Sequence, residues 1–136
     1  MNINPYLRFN DNKCKEAMTF YKQCLGGELT LQTVGESPMA KEMPKEAQAK
    51  IMHAALKSGG AEIYASDMMR DKAVVGDNIA VCINTDDEAG AKKIFAALSK
   101  GGEVFMPLEK AFWGDLFGVV TDKYGIEWMV NCMQSK

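Results

Sequence analysis

The chain lacks most of the features that announce a common chemistry. It has one histidine, no C-x-x-C pair among its four cysteines, no block of like charge, and no apolar run of bilayer-spanning length. The missing pairs exclude the clustered imidazole and thiolate motifs of structural zinc. Charge is balanced, with 16 basic against 18 acidic residues, and it is dispersed, so nothing is built to track phosphates and nucleic acid is not an expected partner. The start, Met-Asn-Ile-Asn-Pro, carries neither a basic leader nor a hydrophobic segment. Neither a signal peptide nor a membrane span is expected, and the cytoplasm is the expected location. There Cys14, Cys24, Cys82 and Cys132 are expected to be buried free thiols. No glycine-rich loop follows a strand in the pattern that holds a nucleotide-bearing cofactor, so no cofactor is expected.

What is present is ordinary globular composition, 47% hydrophobic and 25% charged over 136 residues, enough for one compact unit or for two halves that do not each bury an adequate core alone. Ile3 to Phe9 reads as a strand with Pro5 at its edge. Asn10-Asp11-Asn12 offers helix caps, and Ala17, Met18, Tyr21, Cys24 and Leu25 fall at helical spacing before Gly26-Gly27. Glu28 to Val34 alternates as a strand, and residues 35 to 49, with Pro38 and Pro44, read as a mobile surface excursion. Ile51 to Lys57 and Ala61 to Asp67, joined at Ser58-Gly59-Gly60, form a hairpin. After residues 68 to 77 the pattern restarts. Asn78 to Asn84 is a strand, and Thr85-Asp86-Asp87-Glu88 is a capping box before a helix burying Ala91, Ile94, Phe95 and Leu98. Glu103 to Leu108 is a strand, and Phe112 to Asn131 closes the chain as a hairpin turning at Asp122-Lys123-Tyr124-Gly125.

The restart is a repeat. Gly26-Gly27-Glu28-Leu29 recurs as Gly101-Gly102-Glu103-Val104, Asn4 and Asn10 recur as Asn78 and Asn84, and Gly60 to Tyr64 recurs as Gly125 to Met129. The unit is strand, helix, strand, strand, strand, used twice. Alternation then divides the faces. Met52, Ala54, Leu56, Ile63 and Ala65 suit the core with Ile3, Leu7 and Phe9, leaving Tyr6, Arg8, His53, Ala55, Lys57, Glu62, Tyr64 and Ser66 on the other side. In the second unit Ile79, Val81, Ile83, Trp128 and Val130 suit the core, leaving Asn78, Ala80, Cys82, Met129 and Asn131. Gly114 and Gly118 leave the parity of Trp113 open.

Pro5-Tyr6-Leu7-Arg8-Phe9, Ile51-Met52-His53-Ala54, Ala65-Ser66-Asp67, Phe112-Trp113-Gly114, Phe117-Gly118 and Thr121-Asp122-Lys123-Tyr124-Gly125 with Trp128-Met129-Val130-Asn131 carry a resemblance over nearly the whole chain. It resembles the PhnB-like branch, also labelled demethylubiquinone methyltransferase-like, of the vicinal oxygen chelate superfamily of glyoxalase I, bleomycin resistance proteins and extradiol dioxygenases. The resemblance implies an α+β fold of two tandem βαβββ modules, curved half-barrel mixed sheets with helices on the outer face. They would make one domain over 1–136, with module one at 1–67, a linker at 68–77 and module two at 78–136. It also implies a homodimer, and a cation site at four positions which here are Asn4, Tyr64, Asn78 and Met129. None is His, Glu, Asp or Cys, so no metal is expected. The methyltransferase label implies a cofactor site for which the chain has no loop.

The expected site residues are therefore His53 as the one candidate catalyst and Tyr6, Arg8, Tyr64, Ser66, Asn78, Trp113 and Met129 as a ligand pocket. His53 is either a general base or a strand histidine bonded to Ser66 or water. Arg8 either holds an anion or pairs with Glu62. Trp113 is either a lid or a subunit contact, Asp67 caps the turn after its strand, and Asp122 and Lys123 shape theirs. The leading functional expectation is a metal-independent, homodimeric small-molecule binding protein; its rivals are a lyase or isomerase using His53 as base, and an interaction module without a ligand.

Overall fold

The computed structural model describes residues 1–134, so the last two positions of the expected second module lie outside the described residues. The chain divides into two compact units, Met1–Val74 and Val75–Lys136, the division falling inside the 68–77 segment. The first contains β1 (Tyr6–Phe9), α1 (Cys14–Leu25), β2 (Glu28–Thr33), β3 (Ile51–Ser58) and β4 (Ala61–Asp67). The second repeats the order with β5 (Val81–Thr85), α2 (Glu88–Ser99), β6 (Glu103–Lys110), β7 (Leu116–Thr121) and β8 (Glu127–Cys132). Each is a βαβββ module whose open, mixed four-stranded sheet is of half-barrel type: the order is β1-β4-β3-β2 in one and β5-β8-β7-β6 in the other. In both, the first and last strands pair in parallel and the remaining pairs are antiparallel.

The repeated Gly-Gly pair has one physical cause in both modules. A Cβ on Gly27 would lie 2.2 Å from the Lys57 carbonyl oxygen, and one on Gly102 would lie 2.3 Å from the Thr121 carbonyl oxygen. The chain leaving each helix thus passes against the closing hairpin at a distance only glycine permits. Ser58 strengthens the first of these contacts, its hydroxyl donating to the Leu25 carbonyl at 2.9 Å.

One face of each sheet packs on its helix. In the first module Leu7, Phe9, Ala54, Leu56, Ile63 and Ala65 are buried with Ala17, Met18, Tyr21 and Cys24 of α1. In the second, Trp128, Val130 and Val120 are buried with Ala91, Phe95 and Leu98 of α2, and Gly118 leaves the space that Phe95 fills, since a Cβ there would stand 2.7 Å from the ring.

Several local expectations are corrected. β1 begins at Tyr6, because Pro5 has no N–H and contributes only its carbonyl, which accepts from Tyr64 N at 3.0 Å; Ile3 is exposed rather than core. β5 begins at Val81, which leaves Asn78 in a bend and Ile79 exposed. Neither Asn10 nor its neighbours cap α1. Asn10 instead exchanges hydrogen bonds with Ala73 N and O, and Asp11 and Asn12 take positive φ. α2 is capped by Asp87, whose carboxylate accepts from Gly90 N, and not by a Thr85–Glu88 box; the capping box in this fold is Thr33 with Glu36. That box opens residues 34–50, which form three single-turn 3-10 helices tied by Gln48 to the Ala40 and Met43 carbonyls, with Val34 and Ala47 buried. Phe112 and Trp113 lie in the tight connection between β6 and β7, not in a strand. Cys14, Cys24 and Cys132 are buried free thiols, but Cys82 is exposed.

Asp67 does not cap the turn after its own strand. It is 3% exposed, and its carboxylate accepts from Cys14 N at 2.9 Å and Ile51 N at 2.8 Å, capping α1 across the module and holding the start of β3. Burial, and secondarily this carboxylate, push the Cys14 thiol up to about 12, so it stays protonated and inert. Replacing Asp67 by Ala strands two buried N–H groups and is expected to cost roughly 2–5 kcal/mol. Urea unfolding should show a lower midpoint at unchanged slope; a midpoint equal to wild type would show the carboxylate to be dispensable.

Candidate functional site

The face of the first sheet opposite α1 is polar and aromatic. Register sets three rows across it: Glu28, Lys57 and Glu62; Thr30, Ala55, Tyr64 and Tyr6; and Gln32 beside His53 with Arg8 beside Ser66. β1 delivers Tyr6 and Arg8, β3 delivers His53, and β4 delivers Glu62, Tyr64 and Ser66. The parallel β1–β4 pairing puts Tyr6 opposite Tyr64 and Arg8 opposite Ser66.

The side chains form a connected group. The His53 ring centroid lies 6.1 Å from that of Tyr6 and 5.6 Å from that of Tyr64, with tilts of 38° and 35°. The Arg8 guanidinium carbon stands 5.7 Å from the Tyr6 ring centroid, a cation–π approach. Arg8 forms no ion pair among the described residues, so the expected alternative of pairing with Glu62 is not what the fold adopts. Glu62 is engaged elsewhere: its carboxylate accepts from the Tyr64 hydroxyl, and Asn4 Nδ2 donates to its backbone carbonyl at 3.2 Å. The hydrogen bond to Glu62, then desolvation, then the charge of Glu62 raise the Tyr64 phenol above its ordinary value.

His53 is exposed, and its ring makes no hydrogen bond to Ser66 or to any other described residue; it touches its neighbours only through ring contacts. Ser66 is buried.

The remaining expected pocket residues belong to the second module. Met129 sits in β8 opposite Cys82 and Val119, on the face away from α2. Trp113 packs edge-on against Phe117 of β7 at 5.2 Å, with Phe112 edge-on to Trp113 at 4.9 Å. Phe117 shares its face with Met129 and Asn131, which settles the side to which Trp113 belongs. Asn78 lies ahead of β5. The register pairs Met129 with Cys82 where Tyr64 pairs with Tyr6, so the structural counterpart of Asn4 is Ala80, two residues on from Asn78.

A transition metal at the four family positions is not matched by these donors. Asn4 and Asn78 offer only amide oxygens, Asn78 from outside its strand, Tyr64 offers a phenol already donating to Glu62, and Met129 offers a thioether. No group of three or more His, Cys, Asp or Glu suited to a metal exists among the described residues.

Sequence reasoning placed Glu62 on this face but missed its engagement of Tyr64, and missed Thr30, Gln32 and Phe117. The β2 residues were recoverable from alternation, but the register shift between Gln32 and Thr33 hides which of them oppose His53.

Residues 3–130 match the model of the Glyoxalase/Bleomycin resistance protein/Dioxygenase superfamily, and the chain belongs to that superfamily. It is 30% identical to Protein YjdN of Escherichia coli over 145 residues, covering 100% of this chain and 98% of that one. Among solved structures, protein PA1353 of Pseudomonas aeruginosa is 40% identical, with a TM-score of 0.87 and 99% of each chain covered. A Bacillus cereus PhnB protein, described as a putative 3-demethylubiquinone-9 3-methyltransferase, shares the fold at 21% identity and a TM-score of 0.77, over 98% of this chain and 100% of that one.

The Glu62–Tyr64 contact makes a spectroscopic prediction. In an alkaline titration followed by phenolate absorbance, assigned by difference against Tyr64→Phe, Tyr64 should ionise above the ordinary tyrosine range, and Glu62→Gln should bring it back down. Because the folded pKa is the raised one, the contact supports the fold below the unfolded tyrosine pKa and is lost as pH rises through the folded value. Ordinary titration of Tyr64 in wild type would contradict the contact.

Proposed function

We propose that the chain is a metal-independent small-molecule binding protein, working as a homodimer in the cytoplasm, and that Tyr6, Arg8, Tyr64 and Ser66 of the first module form the core of its ligand site. The observation that carries this reading is the face of the first sheet, where an arginine with no acidic partner among the described residues stands beside two tyrosines and a histidine, on a superfamily scaffold whose metal positions hold unsuitable donors. Binding needs shape, stacking and a few polar contacts rather than a reactive centre. The alternative, a lyase or isomerase using His53 as general base, has weaker support: a base requires an orienting partner, and among the described residues His53 has only ring neighbours. Four free cysteines agree with a reducing compartment, and no helix among the described residues is long and apolar enough to cross a membrane.

The test is equilibrium binding by chelator-treated protein to a panel of aromatic, phosphonate and antibiotic ligands. At least one class should bind in the micromolar range without turnover, and Tyr6→Ala with Tyr64→Ala should weaken it about tenfold or more, as expected when aromatic lining is removed. Binding restored only by adding a transition metal would overturn the metal-free reading, and a turnover abolished by His53→Gln would favour the lyase or isomerase.

The dimer is supported by large apolar side chains left in solvent in the second module, Phe105 at 79% and Phe112 at 98% exposure. Light scattering should give twice the 15.0 kDa chain mass, and replacing both phenylalanines with Asp should give the monomer. A wild-type mass of one chain would remove this part of the proposal.

A further inference from the structure

The ligand class can be narrowed from the charges on the first sheet's free face. Glu62, beside the aromatic cluster, accepts a hydrogen bond from the Tyr64 hydroxyl. The proton of that hydroxyl is thereby spent within the protein and is not available to a ligand. Arg8 is exposed, forms no ion pair or hydrogen bond among the described residues, and has its guanidinium set over the Tyr6 ring. A guanidinium placed over an aromatic ring retains its in-plane N–H groups for a planar anion, and two parallel hydrogen bonds to one carboxylate are the geometry it satisfies best. Beside it the Tyr6, His53 and Tyr64 rings, tilted by under 40° between neighbours, offer aromatic surface to a flat ligand body.

We infer that the first-module site takes a planar aromatic carboxylate, its anionic head on Arg8 and its ring against the Tyr6–His53–Tyr64 cluster. This rests on the small-molecule reading above and makes Arg8 the residue that sets the sign of the ligand's charge. The neutral amide of the same skeleton has one oxygen fewer to offer and no charge, so discrimination between acid and amide isolates the contribution of Arg8 from that of stacking.

The experiment titrates 15N-labelled full-length protein with 2-naphthoate and, separately, with 2-naphthamide, following backbone amide shifts. The acid should bind at least about tenfold more tightly than the amide, the low end of what a charge-assisted hydrogen bond contributes. Its shifts should cluster at Tyr6, Arg8, His53, Tyr64 and Ser66. In Arg8→Gln the acid should fall to the affinity of the amide, and Arg8→Lys, which keeps charge but loses the planar fork, should retain only part of the preference. Equal binding of acid and amide by wild type would overturn the anion assignment while leaving small-molecule binding intact. Persistence of the preference in Arg8→Gln would overturn the role of Arg8. If neither compound shifts this face in a protein that gives a folded spectrum, the aromatic carboxylate assignment falls; should the wider ligand panel also fail to bind, the small-molecule reading falls with it.

Discussion

The first module is closed by one buried carboxylate. Asp67 ends β4 and receives amides from the first residue of α1 and the first residue of β3, three places far apart in sequence that must meet at one point. A buried carboxylate is tolerable only when such donors compensate it, so the contact is selective: the chain cannot shift β4 by one residue without leaving a charge and two N–H groups unpaired. Because β4 lies between β1 and β3, fixing it also fixes which side chains face away from the helix. The grouping of Tyr6, His53 and Tyr64 is thus a consequence of a hydrogen-bond constraint on the opposite side of the sheet.

The second module solves the same problem with different chemistry. Asp122, also 3% exposed, folds its carboxylate back on its own hairpin, accepting from Tyr124 N and Ile126 N and from the indole Nε1 of Trp128 at 2.8 Å. The turn and the largest fully buried side chain of the module are thereby locked together. Both devices lie in the hairpin that contributes the central strands of the sheet, and both leave the helix-free face open to vary. That face differs between the modules: it carries Tyr6, Arg8, His53 and Tyr64 in the first, whereas the second sets Cys82, Met129, Val119 and Phe117 among Asn84, Asn131, Thr121 and Glu127.

Much of this was legible in the sequence because it depends on local signals. The βαβββ repeat followed from Gly-Gly pairs and alternation, and the β3–β4 register followed from the two-residue Gly59-Gly60 loop, as the pairing of Leu56 with Ile63 and Ala55 with Tyr64 shows. What escaped were interactions set by tertiary contact. Asp67 looked like a turn cap because its true partners lie 53 and 16 residues away. The Asn-bracketed alignment of β1 with β5 was two residues out, because the loop after β1 spends extra residues on the positive-φ pair Asp11 and Asn12 that the Thr85–Asp87 connection does without. A two-residue slip preserves facing, so Val81 and Ile83 stay on the side of Trp128 and Val130, though only half-buried, while Asn78 moved out of the strand. On the candidate site, parity gave the face, but not which of its polar groups are already spent on one another.

That last distinction bears on the donor at one of the four family positions. A tyrosine at a metal position ligates well only as phenolate, yet Glu62 raises the Tyr64 pKa and so opposes the form a cation would need. One contact both places the Tyr64 hydroxyl and favours its protonated form. The exposed guanidinium of Arg8 stands on the same face, which also carries Glu28, Lys57 and Glu62. The contact itself follows from the sequence: Glu62 and Tyr64 are two residues apart on one strand, a spacing that puts both side chains on the same side of the sheet by the pleat alone.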